Sequence, residues 1–591
     1  MASECRVVGI SHPRLDGVAK VTGEAKYGAD IRLPGLLVGK ILRSPHPHAR
    51  IVSIDTKRAR EHPGVATVVT AQDTPKVRIG RVVKERYILA LDKVRHVGEP
   101  VAALAAVDEE TAQEALELIS VEYELLSGVF DPFEAMKPTA PLVHEDLAGY
   151  ASNLKLKCKG NILHEIPTVK GDVEAAWAEC DIIHEDDYQT QRVHPCFIQT
   201  HEATASVDSS GRVTLWSSTK APFIVRDMVT EALGMPMSDI RVIAATVGGD
   251  FGGKGSVIIE PVCVLLAQKS GKPVRIALSW EEEFVGALVR ARMSFHLKAG
   301  AMKDGTLVAL EGRIVADTGA FSDTMIMASG GGSQVIGPYK IPNVNVTTIN
   351  VYTNNIPTGH VRAPRNPQIC FALESHIDML ASKLGLNSVE FRLKNGVEDG
   401  EWLTEGKELR NAGLKQTLRS AAEYIRQHGG ESGPDRGWGI ACGQWNLGTA
   451  GEGCLRPSAA HVKVNEDGTV VLNTGATESG GGQITVLAQM VAEVLGLTVG
   501  KVSVVSADTD SSPHDIATGG SRTTYQVGNT VKLAAEDARR RLLKMAAARW
   551  ETNPETLELH EGFVRSKEHP ETTVSLSALA REALRSPSGP I

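Results

Sequence analysis

The sequence is poor in cysteine, and its cysteines do not cluster. Only eight occur in 591 residues, and no two of them are spaced as a Cys-x-x-Cys pair. This spacing excludes a zinc ribbon or an iron–sulfur cluster held within the chain. A disulfide framework is not expected in so long a chain with so few cysteines, and the pattern is typical of a reducing compartment.

Long apolar runs and basic blocks are also missing. The longest apolar run, residues 257–267, is interrupted by Glu260 and Pro261 and is too short to cross a bilayer. Residues 1–17 lack the apolar core of a signal peptide. Lys and Arg total 63 against 71 Asp and Glu, spread along the chain, for a net charge of −8. We therefore expect a cytoplasmic protein that binds neither membrane nor nucleic acid.

Composition and patterning indicate several globular domains. Hydrophobic residues make up 42% and charged residues 23%, as in ordinary globular proteins, and the length calls for more than one domain. Short β-rich runs alternate with helical stretches in the first part, and a polar glycine-rich stretch at residues 427–436 marks a later boundary. We predict three domains, at residues 1–130, 131–430 and 431–591.

A supersecondary unit occurs twice, at residues 206–253 and 464–520. Each copy reads as two strands around a polar turn, a helix ending at a Leu-Gly pair, a β-branched strand and a glycine-rich loop. Two such copies predict similar domains that face each other and hold a large ligand by the backbone of paired loops. The alternative is a chance likeness, because hairpin–helix–strand units are common.

Three glycine-rich loops are candidates for binding an anion. The first loop, residues 248–254, contains four glycines and Phe251, and its N–H groups can approach a ligand closely. It is not a nucleotide-triphosphate loop, because Lys254 is followed by glycine and not by Ser or Thr. The second loop, residues 478–483, and the third loop, residues 518–524, each precede a predicted helix, whose N-terminus favours anions. Together they predict an extended polyanionic ligand, whereas each alone is equally consistent with a structural turn.

A further candidate is the segment of residues 360–368, which carries Arg362 and precedes a predicted helix. A guanidinium can donate two parallel hydrogen bonds to a carboxylate, carbonyl or oxo group. The alternative is an ordinary exposed loop arginine.

Three further motifs carry a resemblance to a known family: Arg14-Leu-Asp-Gly-Val-Ala-Lys-Val-Thr-Gly-Glu-Ala-Lys-Tyr27, Ser44-Pro-His-Pro-His-Ala-Arg50 and Val97-Gly-Glu-Pro-Val-Ala102. With the loops, they resemble the molybdopterin-binding large subunit of the xanthine dehydrogenase/aldehyde oxidase family, and also that of 4-hydroxybenzoyl-CoA reductase. The resemblance implies an α+β fold, with an N-terminal hammerhead-like domain and two large mixed α/β molybdopterin-binding domains, the second truncated. It also implies a molybdenum-molybdopterin cofactor in the cytosine dinucleotide form, with the metal held by the pterin and by no protein ligand.

Site residues follow from the same resemblance. Arg362 matches a substrate-binding arginine. This chain has Lys220 and Gly481 where the family has glutamines, and Asp250 where it has a glycine. The implied cofactor-binding residues are Lys220, Gly249, Phe251, Gly252, Arg392, Ser479, Gly480, Gly481, Gly520, Ser521 and Thr523.

The catalytic base is not assigned within the sequence. The family's general-base glutamate is expected beyond Ile591, so the chain is interpreted either as a fragment or as part of a split subunit whose partner polypeptide supplies the glutamate. Glu452, between two glycines, is interpreted as part of a loop and not as the base.

The implied reaction is hydroxylation of a small molecule, an aldehyde or N-heterocycle, with oxygen from water. Electrons would pass to a [2Fe-2S] small subunit and an FAD-binding medium subunit. Two alternatives remain: a reductive dehydroxylation of an aromatic thioester, and a catalytically incomplete cofactor-binding subunit that needs a partner chain. Carbon monoxide is disfavoured, because the characteristic active-loop sequence of CO dehydrogenases is not seen.

Overall fold

The computed structural model describes residues 5–323, 332–401, 408–430, 433–445, 457–586 and 589–591. The strands are β1 (Leu37–Arg43), β2 (Ala49–Asp55), β3 (Val65–Thr70), β4 (Lys93–Val94), β5 (Pro100–Ala106), β6 (Ser120–Leu125), β7 (Ile162–Lys170), β8 (Ile182–Thr190), β9 (Glu202–Val207), β10 (Val213–Ser217), β11 (Ile240–Ala244), β12 (Val274–Ala277), β13 (Met293–Ala301), β14 (Leu307–Gly319), β15 (Asn343–Tyr352), β16 (Ala460–Val464), β17 (Val470–Thr474), β18 (Val502–Ser506), β19 (Leu557–His560), β20 (Phe563–Ser566) and β21 (Thr573–Ser575). The α-helices are α1 (Gly17–Thr22), α2 (Lys57–Glu61), α3 (Glu109–Glu117), α4 (Pro132–Ala135), α5 (Val173–Ala176), α6 (Pro222–Leu233), α7 (Glu260–Ser270), α8 (Trp280–Gly286), α9 (Gly332–Ile336), α10 (Asn366–Lys383), α11 (Ser388–Asn395), α12 (Leu414–His428), α13 (Gln483–Leu495), α14 (Gly528–Trp550) and α15 (Leu576–Ala583).

A mixed sheet joins the first predicted domain to the second. Within the described residues it has seven strands, in the order β11-β10-β9-β12-β1-β5-β3. Strand β1 pairs parallel with β12, with Leu37 opposite Val274. Helix α7 lies buried on this sheet, so the longest apolar run of the sequence is a core helix. Strands β1, β3 and β5 are therefore continuous with those of the next domain, whereas β2, β4 and β6 form a separate sheet of three described strands, in the order β4-β2-β6.

A second sheet, of five strands in the described part of the chain, has the order β7-β15-β14-β13-β8. Helix α10 packs on it through apolar side chains such as Ile369, Leu373 and Ile377, all buried. Strand β14 is long because it pairs along most of its length with both β13 and β15. This layer holds the segment that leads to Arg362, which lies between β15 and α10.

The last domain contains the small sheet β16-β17-β18, covered by α13 and α14. The apolar stripe expected along α14 is confirmed, since Val531, Ala535 and Leu542 are all fully buried. Strands β19 to β21 and α15 pack beside these helices. No helix in the described ranges is both long and apolar enough to cross a membrane.

The predicted repeat is confirmed. In one copy β9 and β10 are antiparallel and β11 returns parallel to β10, and in the other β16, β17 and β18 pair in the same way. The helix between the second and third strands ends at a left-handed glycine in both copies, Gly234 (φ 66°) and Gly496 (φ 62°). The ends of the third strands meet, where the Ala244 N–H donates to the carbonyl oxygen of Ala507 at 3.0 Å. The two copies therefore face each other.

The N-terminal segment packs against the last domain. The carboxylate of Glu493, on α13, accepts hydrogen bonds from the backbone N–H groups of Arg6, Val7 and Val8. Val7 is buried in the apolar core of the last domain. Residues 6–8 therefore contact the last domain, before the chain enters the strands of the first.

Candidate functional site

The first loop is a tight turn that closes on its own aspartate. The carboxylate of Asp250 accepts from the backbone N–H groups of Gly252 at 3.1 Å and Lys254 at 3.0 Å. Gly249 (φ 97°) and Gly252 (φ 107°) have left-handed backbones. A Cβ on Gly252 would lie 2.6 Å from the carbonyl oxygen of His360. Glycine is therefore required where the segment carrying Arg362 meets the first loop.

Lys254 stabilises the first loop through its buried side chain. Its side chain is 1% exposed, and its Nζ donates to Gln199 Oε1 at 3.0 Å. The same oxygen accepts from the Gly248 N–H at 2.7 Å, and the ammonium lies 4.6 Å from the centroid of the Phe197 ring. Burial lowers the pKa of Lys254 to about 8. These contacts make it a structural brace.

The segment that carries Arg362 contacts the first loop at Phe251. The backbone N–H of Arg362 donates to the carbonyl oxygen of Phe251 at 2.6 Å. Arg290 Nη2 donates to the carbonyl oxygen of Arg362 at 2.7 Å. The side chains of Phe251 and Arg362 are both exposed. The exposed side chains of Phe251 and Arg362 therefore lie on either side of the backbone hydrogen bond that joins the two residues.

The second loop is closed by its own carboxylate. Glu478 accepts from the backbone N–H groups of Gly480 (2.8 Å), Gly482 (3.0 Å) and Ile484 (3.1 Å). Arg14 Nη1 donates to the carbonyl oxygen of Gly480 at 2.7 Å. The prediction that this helix N-terminus binds an anion is wrong for these three N–H groups, because they already donate to the carboxylate of Glu478. Ser479, Gly480 and Gly481 form the outer surface of the loop, with Gly480 and Gly481 exposed.

The third loop offers unoccupied N–H groups. Gly520 (φ 66°) and Ser521 (φ 52°) are consecutive left-handed residues, a geometry that turns successive N–H groups toward one point. Among the described residues, nothing accepts from the backbone N–H groups of Gly519, Gly520 and Ser521. Buried Thr523 begins one π-helical turn, Thr523–Val527, a feature often found at functional sites.

Lys220 joins the first and third loops. Its backbone N–H donates to the carbonyl oxygen of Lys254 at 3.1 Å, and its carbonyl oxygen accepts from the Thr518 N–H at 3.2 Å. Its buried ammonium lies 3.5 Å from Asp250 Oδ2 and 3.6 Å from the point that a Cβ on Gly519 would occupy. The loops of the two repeated units thus form one cradle with Lys220 at the seam.

The cradle suits an anionic ligand. Glycines at 249 and 252 remove side chains where loops converge, the third loop offers N–H donors, and Lys220 supplies a buried cation. Among the described residues, no group of three His, Cys, Asp or Glu side chains is placed to hold a metal ion.

Family models match most of the chain. Residues 22–127 match the a/b hammerhead domain of aldehyde oxidase and xanthine dehydrogenase, and residues 155–396 and 410–589 each match a molybdopterin cofactor-binding domain. The chain belongs to the xanthine dehydrogenase/aldehyde oxidoreductase family of molybdenum hydroxylases. The predicted hammerhead and two molybdopterin-binding domains are thereby confirmed.

Individual relatives agree with this family. A xanthine dehydrogenase molybdenum-binding subunit of Escherichia coli is 33% identical, over 97% of this chain and 78% of that protein. The nicotinate dehydrogenase large molybdopterin subunit of Eubacterium barkeri is 36% identical, over 72% of this chain and 97% of its own length. The structure of quinoline 2-oxidoreductase from Pseudomonas putida 86 superposes with a TM-score of 0.88 at 27% identity, covering 98% of this chain and 76% of that one.

Arg392 does not lie with the other family-derived residues. On α11 it is fully buried, and it donates from Nε to Glu374 Oε2 at 2.8 Å and from Nη1 to Asp378 Oδ1 at 2.6 Å. Tyr339 donates to the other oxygen of Glu374 at 2.6 Å. These partners lie on or beside α10 and α11, and no contact within the described ranges brings Arg392 to the glycine loops. The geometry gives it a structural role, and its place near molybdenum stays a prediction.

Arg365 was missed by the sequence reasoning, although it lies in the motif that supplies Arg362. It is 2% exposed with φ 66°, and its Nη2 donates to Asn350 Oδ1 at 2.8 Å. Burial lowers its pKa to about 9. The sequence shows no reason for Arg365 to be buried, because its left-handed backbone just before α10 is not visible in the residue pattern. Glu452, weighed in the sequence analysis, lies outside the described residues.

Proposed function

We propose that this chain binds molybdenum-molybdopterin, in its cytosine dinucleotide form, in the cradle between the first and third loops, and that the assembled enzyme hydroxylates an aldehyde or N-heterocycle. The observation that carries the proposal is Lys220, whose backbone hydrogen-bonds the loops of both repeated units. A ligand spanning two domains needs such a junction, and the family models assign a cofactor-binding domain to each side.

The reaction replaces a substrate C–H bond by C–OH, with oxygen from water, and releases two electrons and two protons. When bound, the molybdenum cofactor supplies the two-electron redox chemistry. This chain supplies orientation: the exposed ring of Phe251 offers an apolar face, and the guanidinium of Arg362 offers donors to a carbonyl or ring nitrogen. This pairing suits a planar, electron-poor substrate better than carbon monoxide.

Electrons must leave to other polypeptides. The cysteines of this chain are scattered and show no iron–sulfur spacing. We therefore propose a [2Fe-2S] small subunit and an FAD-binding medium subunit as partners, with the general base supplied by sequence beyond Ile591 or by a separate polypeptide. Relatives named as a molybdenum-binding subunit and as a large molybdopterin subunit support an assembly of this kind.

The test is purification of the tagged chain, with whatever accompanies it, from its own host. We expect about one molybdenum per chain by elemental mass spectrometry, CMP released on acid hydrolysis, and ¹⁸O from labelled water in the hydroxylated product. Reduction of an aromatic thioester without ¹⁸O incorporation would replace hydroxylation by reductive dehydroxylation. A folded assembly without molybdenum would refute the proposal and leave a cofactor-free subunit.

A further inference from the structure

The side chain of Lys220 passes between two glycines from different loops. A Cβ on Gly255, just after the first loop, would lie 2.7 Å from Lys220 Cε, and one on Gly519 would lie 3.6 Å from Nζ. A Cβ at Gly255 would force the flexible end of the lysine side chain to shift, so glycine leaves this path open. The ammonium thus reaches the seam between the two loops.

Asp250 is the fixed partner of that cation. Lys220 and Asp250 have side chains that are each 8% exposed, and the ammonium lies 3.5 Å from Oδ2. The carboxylate of Asp250 is held in place, because its two oxygens already accept hydrogen bonds from the N–H groups of Gly252 and Lys254. Apart from this ion pair, the ammonium makes no hydrogen bond within the described part of the chain. Its donors are thus available to an oxygen at the seam.

We infer that Lys220 and Asp250 act as one charge unit toward the cofactor. Lys220 donates to an anionic oxygen of the cofactor, and Asp250 is a positioning residue that holds the ammonium and cancels its charge. The inference rests on the proposed function, because it needs a cofactor in the cradle. It goes further in assigning a role to Asp250 and in coupling two residues that both depart from the family pattern.

Electrostatics predicts opposite consequences for the two single substitutions. Lys220→Gln keeps a hydrogen-bond donor but leaves a buried carboxylate facing an anionic ligand, which repels it. Asp250→Asn keeps one of the two acceptors that the loop uses and leaves the cation unopposed. A positive charge beside a redox centre stabilises its reduced form, so losing Lys220 lowers the reduction potential and losing Asp250 raises it. Removing both charges restores the balance.

The experiment compares wild type, K220Q, D250N and K220Q/D250N, each purified as the complete assembly. Molybdenum per chain and the midpoint potential of the molybdenum EPR signal are measured. We expect K220Q to lose most of its molybdenum, D250N to keep it, and the double variant to recover much of what K220Q loses. The potential should fall in K220Q, rise in D250N and return close to wild type in the double variant.

A matched control is the exposed pair Lys394 and Asp304, at 2.7 Å with side chains 40% and 62% exposed. K394Q, D304N and their double variant should leave molybdenum content and potential unchanged. If the K220Q/D250N variant holds no more molybdenum than K220Q, or if the potentials of both single variants shift in the same direction, the charge unit is refuted.

Two further outcomes separate this inference from the proposed function. If wild type contains molybdenum and all variants retain it while only KM changes, Lys220 acts on the substrate and the inference fails alone. If the wild-type assembly contains no molybdenum, the proposed function itself is refuted. The thermal unfolding midpoints of the same four proteins then still decide whether the pair is coupled, since purely additive shifts would refute the coupling.

Discussion

Arg241 binds Asp508 across the boundary between the two repeated units. Its Nη2 lies 2.5 Å from Oδ2, and its Nε donates to Oδ1 at 3.0 Å. Arg241 is on β11 of the first unit, and Asp508 follows β18, the equivalent strand of the second. Beside them, the Thr509 N–H donates to the carbonyl oxygen of Val242 at 3.0 Å. The two repeated units on either side of the cradle are thus held together at β11 and at the end of β18.

We predict that Arg241→Ala loosens this boundary only modestly. Arg241 is 38% exposed, so solvent screens the pair and the expected loss of stability is about 1 kcal/mol or less. Burial opposes ionisation of Asp508, but the hydrogen bonds from Arg241, the Asp510 N–H and Ser511, with the charge of the guanidinium, together outweigh it and lower the pKa of that carboxyl. The alanine variant should therefore be less stable than wild type at neutral pH, and this difference should shrink as pH falls and Asp508 is protonated. Chemical unfolding at several pH values measures the difference. An R241A/D508N cycle with no coupling would show that the backbone bonds alone join the units.

Gly252→Ala should break the contact between the first loop and the segment that carries Arg362. The left-handed backbone costs an alanine roughly 1–3 kcal/mol, and its Cβ would meet the His360 carbonyl oxygen at 2.6 Å. We expect a lower unfolding midpoint and weaker substrate binding, seen as a raised KM. The control is Gly437→Ala, where no atom lies within 4 Å of the added Cβ. An unchanged KM in Gly252→Ala would mean that the segment docks by other means.

Arg392→Met tests the structural role assigned to that residue. It leaves Glu374, whose side chain is 6% exposed, without its cation, which should cost about 3–5 kcal/mol. Replacing Glu374 by Gln as well should recover much of the loss, because both buried charges are then gone. The double variant, once folded, is expected to keep its molybdenum. Loss of molybdenum from a stable, folded double variant would return Arg392 to the cofactor site.

Local patterns predicted much of this structure. The turn, helix-ending glycines and β-branched strands of the repeat are specified by residues close together in sequence, as is the stripe along α14. The pairing of β1 with β12 was not predictable, because Leu37 and Val274 lie far apart along the chain and no local signal connects them. For the site, Gly249 and Gly252 do lie against other parts of the protein, whereas their approach to a ligand stays a prediction.

Two site details depended on side-chain direction. A glutamate before glycines reads equally as a neighbour of an anion site or as its occupant, and Glu478 proved to be the occupant. Arg392 followed the family motif, yet its guanidinium turns to Glu374. Sequence gives the residue type at a position, whereas the partner that a long charged side chain reaches depends on packing between distant elements.

Buried Glu85 binds a segment of the first molybdopterin domain. Its Oε1 accepts from the Ser322 N–H at 2.7 Å and the Asp323 N–H at 3.1 Å, and Tyr352 donates to its other oxygen. Burial outweighs these hydrogen bonds and raises the pKa of Glu85 to about 7, from 4.5. Because the folded state holds this proton more tightly, the resulting stability is full below the unfolded pKa and is lost as pH rises toward 7. Glu99, also buried with its pKa raised to about 7, contributes in the same direction.

Glu85→Gln should therefore flatten the decline in unfolding free energy between pH 4.5 and 7, by at most about 3 kcal/mol for this one group. Glu99→Gln should remove a second contribution of the same sign, and the double variant should show both effects. Chemical unfolding at a series of pH values measures this, with Glu536→Gln on the partly exposed face of α14 as the control. A slope identical to wild type in Glu85→Gln would show that Glu85 is ionised across this range, with its hydrogen bonds outweighing burial.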